Sequence, residues 1–553
     1  MKSPFYLSVN GSYGQGPYAK PEFTTLPQLL SHMDKLGIGQ CVVNHNAARD
    51  LHPVFGNRFL LNDIEKTPGA KERVIPAFAA NSSMLAGAGE MEHLIDAFAS
   101  GKAHCLALFP KTNRYDLLEI ERVFEPLRPY CPVVLIDITE LGECQNERTP
   151  ALALQELIQL SARFPEFRFV IRKVMWWQFS NCLYALSKAK NVYLDISWLH
   201  TRNAIGIVAQ QFGAERLVFG LGMKSHAGAA IASLCYADLP QSERDNVASN
   251  NFISLFADKH YREELSKNRR SLDNHVQNSF WNAFLDGKGV QNTLVIDAHT
   301  HIGPFARSWM VPNNEFDGQI REFEHDMARF GIDKVCSQSE AALFGPPIEG
   351  NRMLEQAIGN KKNRFRGNLV INPVYAELYT DEVLDDFFRG GYFCGMKLIP
   401  EYIGVDISDP CLDPIFKYAN RHKLHILVHS WEGKHGTALQ VAETAARYPD
   451  ATFMIGHTGG GTVGRHQSEQ IAQDPKYANC VFEFCGTFTT EVEWVETLQK
   501  IDYHRVIFGT DTIAHDIAWE LGRLLSMDIP DEQLKMILGQ NMQRILDRAQ
   551  LPQ

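Results

Sequence analysis

Two histidines in the second half of the chain stand two residues apart, in Val295-Ile296-Asp297-Ala298-His299-Thr300-His301. Side chains alternate along an extended strand, so His299 and His301 point into the same space. Single histidines follow two further apolar runs, His429 after residues 424–428 and His457 in Ile455-Gly456-His457-Thr458-Gly459-Gly460. Asp511 follows another in Phe508-Gly509-Thr510-Asp511, and Lys397 closes Gly395-Met396-Lys397. Neutral imidazoles and a carboxylate are ligands for Zn²⁺ or a neighbouring first-row divalent ion.

For these groups to meet, the ends of the runs that carry them must converge. The apolar runs of this half are 293–296, 334–336, 366–371, 393–399, 424–428, 452–455, 480–484 and 505–508, separated by amphipathic stretches such as 437–448. Eight strands alternating with helices over this length predict a (β/α)8 barrel, whose reactive groups sit at the C-terminal ends of its strands. The pattern is also written twice. Gly56-Asn57-Arg58-Phe59-Leu60 returns as Gly350-Asn351-Arg352-Met353-Leu354, and Arg216-Leu217-Val218-Phe219-Gly220 as Arg505-Val506-Ile507-Phe508-Gly509. Asp238-Leu239-Pro240 returns as Asp528-Ile529-Pro530, each followed by a helix-like segment holding Asn251 or Asn541. The offset stays near 290, which predicts an α/β chain of two tandem TIM-like barrels. The expected domains are residues 1–260, a partly helical connection at 261–291, and 292–553.

Composition agrees with two large globular units. The 553 residues are 45% hydrophobic and 22% charged, enough to bury a core in each. Net charge is -11, and no basic run tracks a phosphate backbone, so nucleic acid is not an expected partner. No apolar stretch is long enough to span a membrane, and the start lacks a secretion signal, which predicts a cytoplasmic protein. The 11 cysteines are scattered without a CxxC pair and read as reduced packing residues.

The His-x-His on strand 1, single histidines on strands 5 and 6 and an Asp on strand 8 resemble the amidohydrolase superfamily, in particular its amidohydrolase-related branch of lactonases, other hydrolases and nonoxidative decarboxylases. The resemblance implies a fold of the metal-dependent hydrolase type. It implies that His299, His301, His429 and Asp511 hold one metal, with His457 beside the bound water or substrate. In a binuclear variant, Lys397 would be carbamylated and bridge two ions, with His429 and His457 on the second. Zn²⁺, or another divalent ion such as Mn²⁺, is the expected cofactor. Arg307, Trp431, Arg465 and His515 are the candidate substrate contacts, with Trp309, His435 and His466 also in loops near the mouth.

Aligned on the second half, the first half has different residues at these places. Asn10 and Ser12 fall on the paired histidines, Ala107 on Lys397, Asp137 on His429, Lys173 on His457 and Gly222 on Asp511. This set is a poor cation site, so the first barrel is expected to be a degenerate, metal-free copy. It would brace the active barrel, cover its mouth or supply the dimer contact that in relatives of the resembled family comes from a second subunit, with Asp137 and Lys173 paired in the vacated pocket. A pocket for a small regulatory ligand is the lesser alternative, and a homodimer is a candidate assembly.

The leading expectation is hydrolysis of a small-molecule ester, lactone or amide. A divalent ion acidifies its bound water and polarises a carbonyl, Asp511 accepts the proton, and His457 stabilises the oxyanion or protonates the leaving group. The alternative on the same residues is nonoxidative decarboxylation of an unsaturated or aromatic acid. A third reading is a non-catalytic scaffold with a structural metal.

Overall fold

The computed structural model describes residues 4–17, 21–138, 154–222, 226, 228–270, 272–305, 313–486 and 494–552. The chain divides into two compact units, Met1–Val276 with Gly522–Ser526, and Gln277–Leu521 with Met527–Gln553. Among the described residues no helix is long and apolar enough to cross a membrane.

The first unit contains eight parallel strands in chain order: β1 Tyr6–Tyr13, β2 Ile38–His45, β3 Val74–Ala79, β4 Cys105–Leu108, β5 Val133–Asp137, β6 Arg168–Arg172, β7 Val192–Asp195 and β8 Leu217–Val218. The circle closes where the Val9 amide donates to Phe219 O at 2.9 Å. Strands covered on both faces must be apolar throughout, and Val133-Val134-Leu135-Ile136 on β5 is fully buried.

The second unit repeats this order with β9 Ile296–Ile302, β10 Lys334–Ser339, β11 Phe365–Val370, β12 Phe393–Leu398, β13 His425–Val428, β14 Thr452–Ile455, β15 Cys480–Phe484 and β16 Val506–Phe508. It closes through the Asp511 amide, which donates to His299 O at 2.7 Å, and a parallel bridge between Thr300 and Thr512. These are the two TIM-like barrels expected from the periodicity. The paired histidines lie on the first strand, as their alternation predicts, within β9. Pairing with β10 carries the strand on through polar residues, with His301 opposite Gln338. The stretch expected at 437–448 forms the helix Ala438–Ala445, started by Thr437, which accepts from the Gln440 amide. Within the expected connection, Asn278 caps the helix Ser279–Leu285, whose Phe280, Trp281 and Phe284 are buried.

The residues read as repeats make the same bonds in both units. The Asn57 side chain donates to Ala79 O and accepts from its amide; Asn351 does the same to Val370. Asn251 donates to Ala214 O and Leu217 O, and Asn541 to Tyr503 O and Val506 O, each tying a helix to the start of the eighth strand and the turn before it. Arg216 and Arg505 each donate to a carbonyl on the seventh strand, Val192 O and Cys480 O. Buried carbonyls need partners, so these polar side chains are fixed by backbone geometry.

Candidate metal centre

The ends of β9 and β16 are sewn together beneath the paired histidines. Asp297 accepts from Thr510 Oγ1 at 2.6 Å, from the Thr510 amide at 3.0 Å and from the His299 amide at 3.2 Å. Burial raises its carboxyl to about 8 in spite of these bonds. The stitch leaves Asp511 in the left-handed region, φ 57°, a conformation that Asp tolerates better than most residues. Its carboxylate thereby faces the strand-1 imidazoles.

His301 Nε2 is 2.9 Å from Asp511 Oδ1, His299 Nε2 is 3.4 Å from the same oxygen, and the two Nε2 atoms are 3.3 Å apart. Ligand bonds of about 2.0–2.1 Å place two donors on one ion about 2.9 Å apart in octahedral and about 3.3 Å apart in tetrahedral geometry. The three side chains therefore fit a shared divalent cation. Each imidazole is oriented from behind by an acid. Glu483 Oε2 lies 3.2 Å from His299 Nδ1, and Glu340 holds His301 Nδ1. A proton on each Nδ1 leaves the Nε2 lone pairs for the shared centre.

Lys397, buried at the end of β12, reaches to 2.8 Å from His299 Nε2. Burial lowers its pKa, although Asp511 and Glu483 favour the charged form. His457 Nε2 is 3.1 Å from His429 Nδ1, and His457 Nδ1 is 3.2 Å from Cys485 O. Burial lowers His457 to about 4 and takes His429 well below its ordinary value. Asp511 is held well below the carboxylate range: burial opposes its charge, but His299 and the hydrogen bond from His301 outweigh it. His301 is shifted up, because Glu340 and Asp511 overcome its burial.

The structure brings His299, His301, Lys397, His429, His457 and Asp511 together. His515 joins them, its Nε2 4.0 Å from Asp511 Oδ2 and its Nδ1 3.2 Å from Glu520. The Trp431 ring stacks beside His429 at 6.2 Å and meets His457 edge-on at 5.6 Å. His429 stands outside the group of three close ligand atoms formed by His299, His301 and Asp511. Arg465 is not at the mouth: it is buried against Glu469 at 2.6 Å and Thr497 at 2.8 Å, because Thr462–Gln473 is a helix whose inner face carries it. His466 lies against Arg465, and His435 pairs with Asp406 in its loop. Arg307 and Trp309 lie outside the described residues.

Sequence reasoning missed Glu340, Glu483 and Glu520, and read Cys485 as packing. One signal was present, an acid interrupting the apolar run Val481-Phe482-Glu483-Phe484.

In the first unit the matching places hold a different polar set. Asp137 is sandwiched between Arg172 at 2.6 Å and Lys173 at 2.8 Å, which keep its pKa low against burial. Asn10 donates to Ser197 Oγ at 3.1 Å, and Ser197 Oγ donates to Asp195 at 2.6 Å. The backbone template persists: Lys173 and His457 have φ 57° and 54°, and Gly222 and Asp511 have φ 75° and 57°.

Residues 289–548 match the family model described as Amidohydrolase. No curated protein matches the chain. Similar solved structures include a 5-carboxyvanillate decarboxylase from Sphingomonas paucimobilis, 13% identical, covering 46% of this chain and 99% of that one, TM-score 0.36. A dihydroxybenzoic acid decarboxylase from Polaromonas sp. JS666, with bound manganese and 2-nitroresorcinol, is 15% identical, covering 46% of this chain and 97% of that one, TM-score 0.36. A 2,6-dihydroxybenzoate decarboxylase from Rhizobium is 13% identical, covering 46% and 99%, TM-score 0.36.

Proposed function

We propose, from the membership of residues 289–548 in the amidohydrolase superfamily, that the C-terminal barrel is a metal-dependent enzyme that decarboxylates an unsaturated or aromatic carboxylic acid without oxidation. His299, His301 and Asp511 would hold one divalent ion, Zn²⁺ or Mn²⁺, with His429 the fourth ligand expected from sequence. Bound there, the ion would supply Lewis acidity toward the substrate's carboxylate and a neighbouring oxygen.

The observation that carries the choice is the state of Asp511. Hydrolysis asks this carboxylate to take a proton from water. Asp511 Oδ1 lies 2.9 Å from His301 Nε2 and 3.4 Å from His299 Nε2, and a cation shared with those rings would lower its proton affinity. It is a weak base, suited to ligation rather than proton abstraction.

Decarboxylation places no such demand. Lys397 Nζ, buried beside His299, would face the substrate carboxylate, whose charge favours the ammonium form. The bond between the carboxylate carbon and its neighbour breaks, the electron pair stays on that neighbour, and carbon dioxide leaves. The neighbouring carbon then takes a proton. His457 would relay that proton from water through Nε2, because its Nδ1–H is given to Cys485 O and the neutral ring holds no proton of its own on Nε2. Trp431, against both His429 and His457, offers an aromatic wall to a planar acid.

The test is incubation of the ion-loaded full chain with 2,6-dihydroxybenzoate, 5-carboxyvanillate and related acids in heavy water. Release of carbon dioxide with deuterium at the vacated carbon is expected. Cleavage of lactones, esters or amides with uptake of solvent oxygen, and no carbon dioxide from any acid, would return the assignment to hydrolysis.

A further inference from the structure

Behind His299, on the other nitrogen of the same ring, lies a second group of ligating atoms. His299, His457, Glu483 and Cys485 are all buried, and one ligand atom from each lies within 4.8 Å of the others. Cys485 Sγ is 3.6 Å from His299 Nδ1 and 3.5 Å from His457 Nδ1, while Glu483 Oε2 is 3.2 Å from His299 Nδ1. Donors on a tetrahedral Zn²⁺ stand about 3.3 Å apart when both are nitrogen or oxygen, and about 3.5 Å apart when one is sulfur, given bonds of about 2.0 and 2.3 Å.

We propose that His299 Nδ1, His457 Nδ1, Glu483 and Cys485 form a closed site for a thiophilic divalent cation such as Zn²⁺, distinct from the centre at His299 Nε2, His301 and Asp511. Four protein ligands on one ion make a site of the structural or inhibitory kind, with no position left for substrate. The sulfur selects zinc-like ions over Mn²⁺ and Mg²⁺, which prefer oxygen.

The first barrel supplies a contrast. Its matching positions hold Asn10, Lys173, Asp195 and Ser197. There Ser197 Oγ bridges Asn10 and Asp195 by ordinary hydrogen bonds. Only the acid is retained in kind, and the ligand chemistry of imidazoles and thiol is confined to the second barrel.

The consequence follows from the ring. A neutral imidazole has one lone pair, so an ion on His299 Nδ1 moves the ring proton to Nε2 and withdraws His299 from the front centre. The Cys485 thiol loses its proton to solvent as the sulfur–cation bond forms. Rear binding therefore opposes front binding, and excess zinc inhibits where excess manganese does not. That inhibition rests on the function proposed above; the site itself does not.

The test is optical. The metal-stripped full chain is titrated with Co²⁺ and read for thiolate-to-cobalt charge-transfer absorption. Wild type should show the band, added Zn²⁺ should displace it, and Cys485→Ser should abolish it. Ser197 occupies the same place in the first barrel, so the substitution suits the backbone. Cys485→Ala, checked by circular dichroism, provides a second variant. His301→Ala should retain the band while losing front-site cobalt. Absence of the band from wild type, or an undiminished band in Cys485→Ser, would overturn the proposal. A His301→Ala variant that kept all its bound cobalt would instead count against the front centre.

Discussion

Glu483 Oε2 lies 3.2 Å from His299 Nδ1, and this contact decides which nitrogen of the ring faces His301 and Asp511. Loss of such an orienting acid commonly lowers metal affinity about 10–100-fold. Glu483→Gln should therefore weaken manganese binding by about that factor, measured by competition with a chelator. Affinity equal to wild type would show that Glu483 does not orient the ligand.

His301 sits between Glu340 and Asp511, which raise its pKa against burial. An ion must displace a proton from it, so affinity should fall as pH drops below that raised value and level off above it. Glu340→Gln removes one of the two carboxylates that favour the imidazolium. The pH midpoint of manganese binding should then shift downward, read from affinities across pH. A midpoint that stayed in place would contradict the assignment of Glu340.

The barrels and their reactive strand ends were legible because both depend on local pattern. Apolar runs bounded by His429, His457 and Asp511 mark strands whose last residues face one mouth. The orienting acids were not legible as such. Glu340 and Glu483 meet His301 and His299 only because β10 and β15 curve into the same barrel, and a lone acid carries no mark of which ring it will face. Arg465 misled for a similar reason. Helix rotation, set by packing, turns it inward to Glu469 and Thr497 rather than toward the mouth.

In the first barrel Asp137 pairs with Arg172 at 2.6 Å and with Lys173 at 2.8 Å. Asp137→Asn would leave a buried guanidinium without its counter-charge, a change that costs about 3–5 kcal/mol. The folded-state pKa of Asp137 is depressed, so its contribution is present above the unfolded value of about 3.9 and is lost as pH falls through the lower folded value. Denaturant titrations at neutral pH and near pH 3 should show the difference between variant and wild type shrinking on acidification. A variant as stable as wild type at neutral pH would contradict this role.

Asn541 donates to Tyr503 O and Val506 O at 2.7 and 2.9 Å, as Asn251 does to its own pair. Asn541→Ala leaves two carbonyls without their partner, an expected loss of about 1–3 kcal/mol. Asn251→Ala should lose a similar amount, because the bonds match. Urea denaturation of the two variants checks both magnitude and equivalence, and a large loss in one with none in the other would argue against matching roles.

One centre at His299, His301 and Asp511 would carry the proposed chemistry, and manganese content per chain tests it most directly, since Mn²⁺ avoids sulfur ligands. The metal-stripped full chain, reloaded with Mn²⁺ and freed of excess, should carry one ion, and Asp511→Asn or His301→Ala should carry almost none. Manganese retained at the wild-type level in both variants would contradict the assignment.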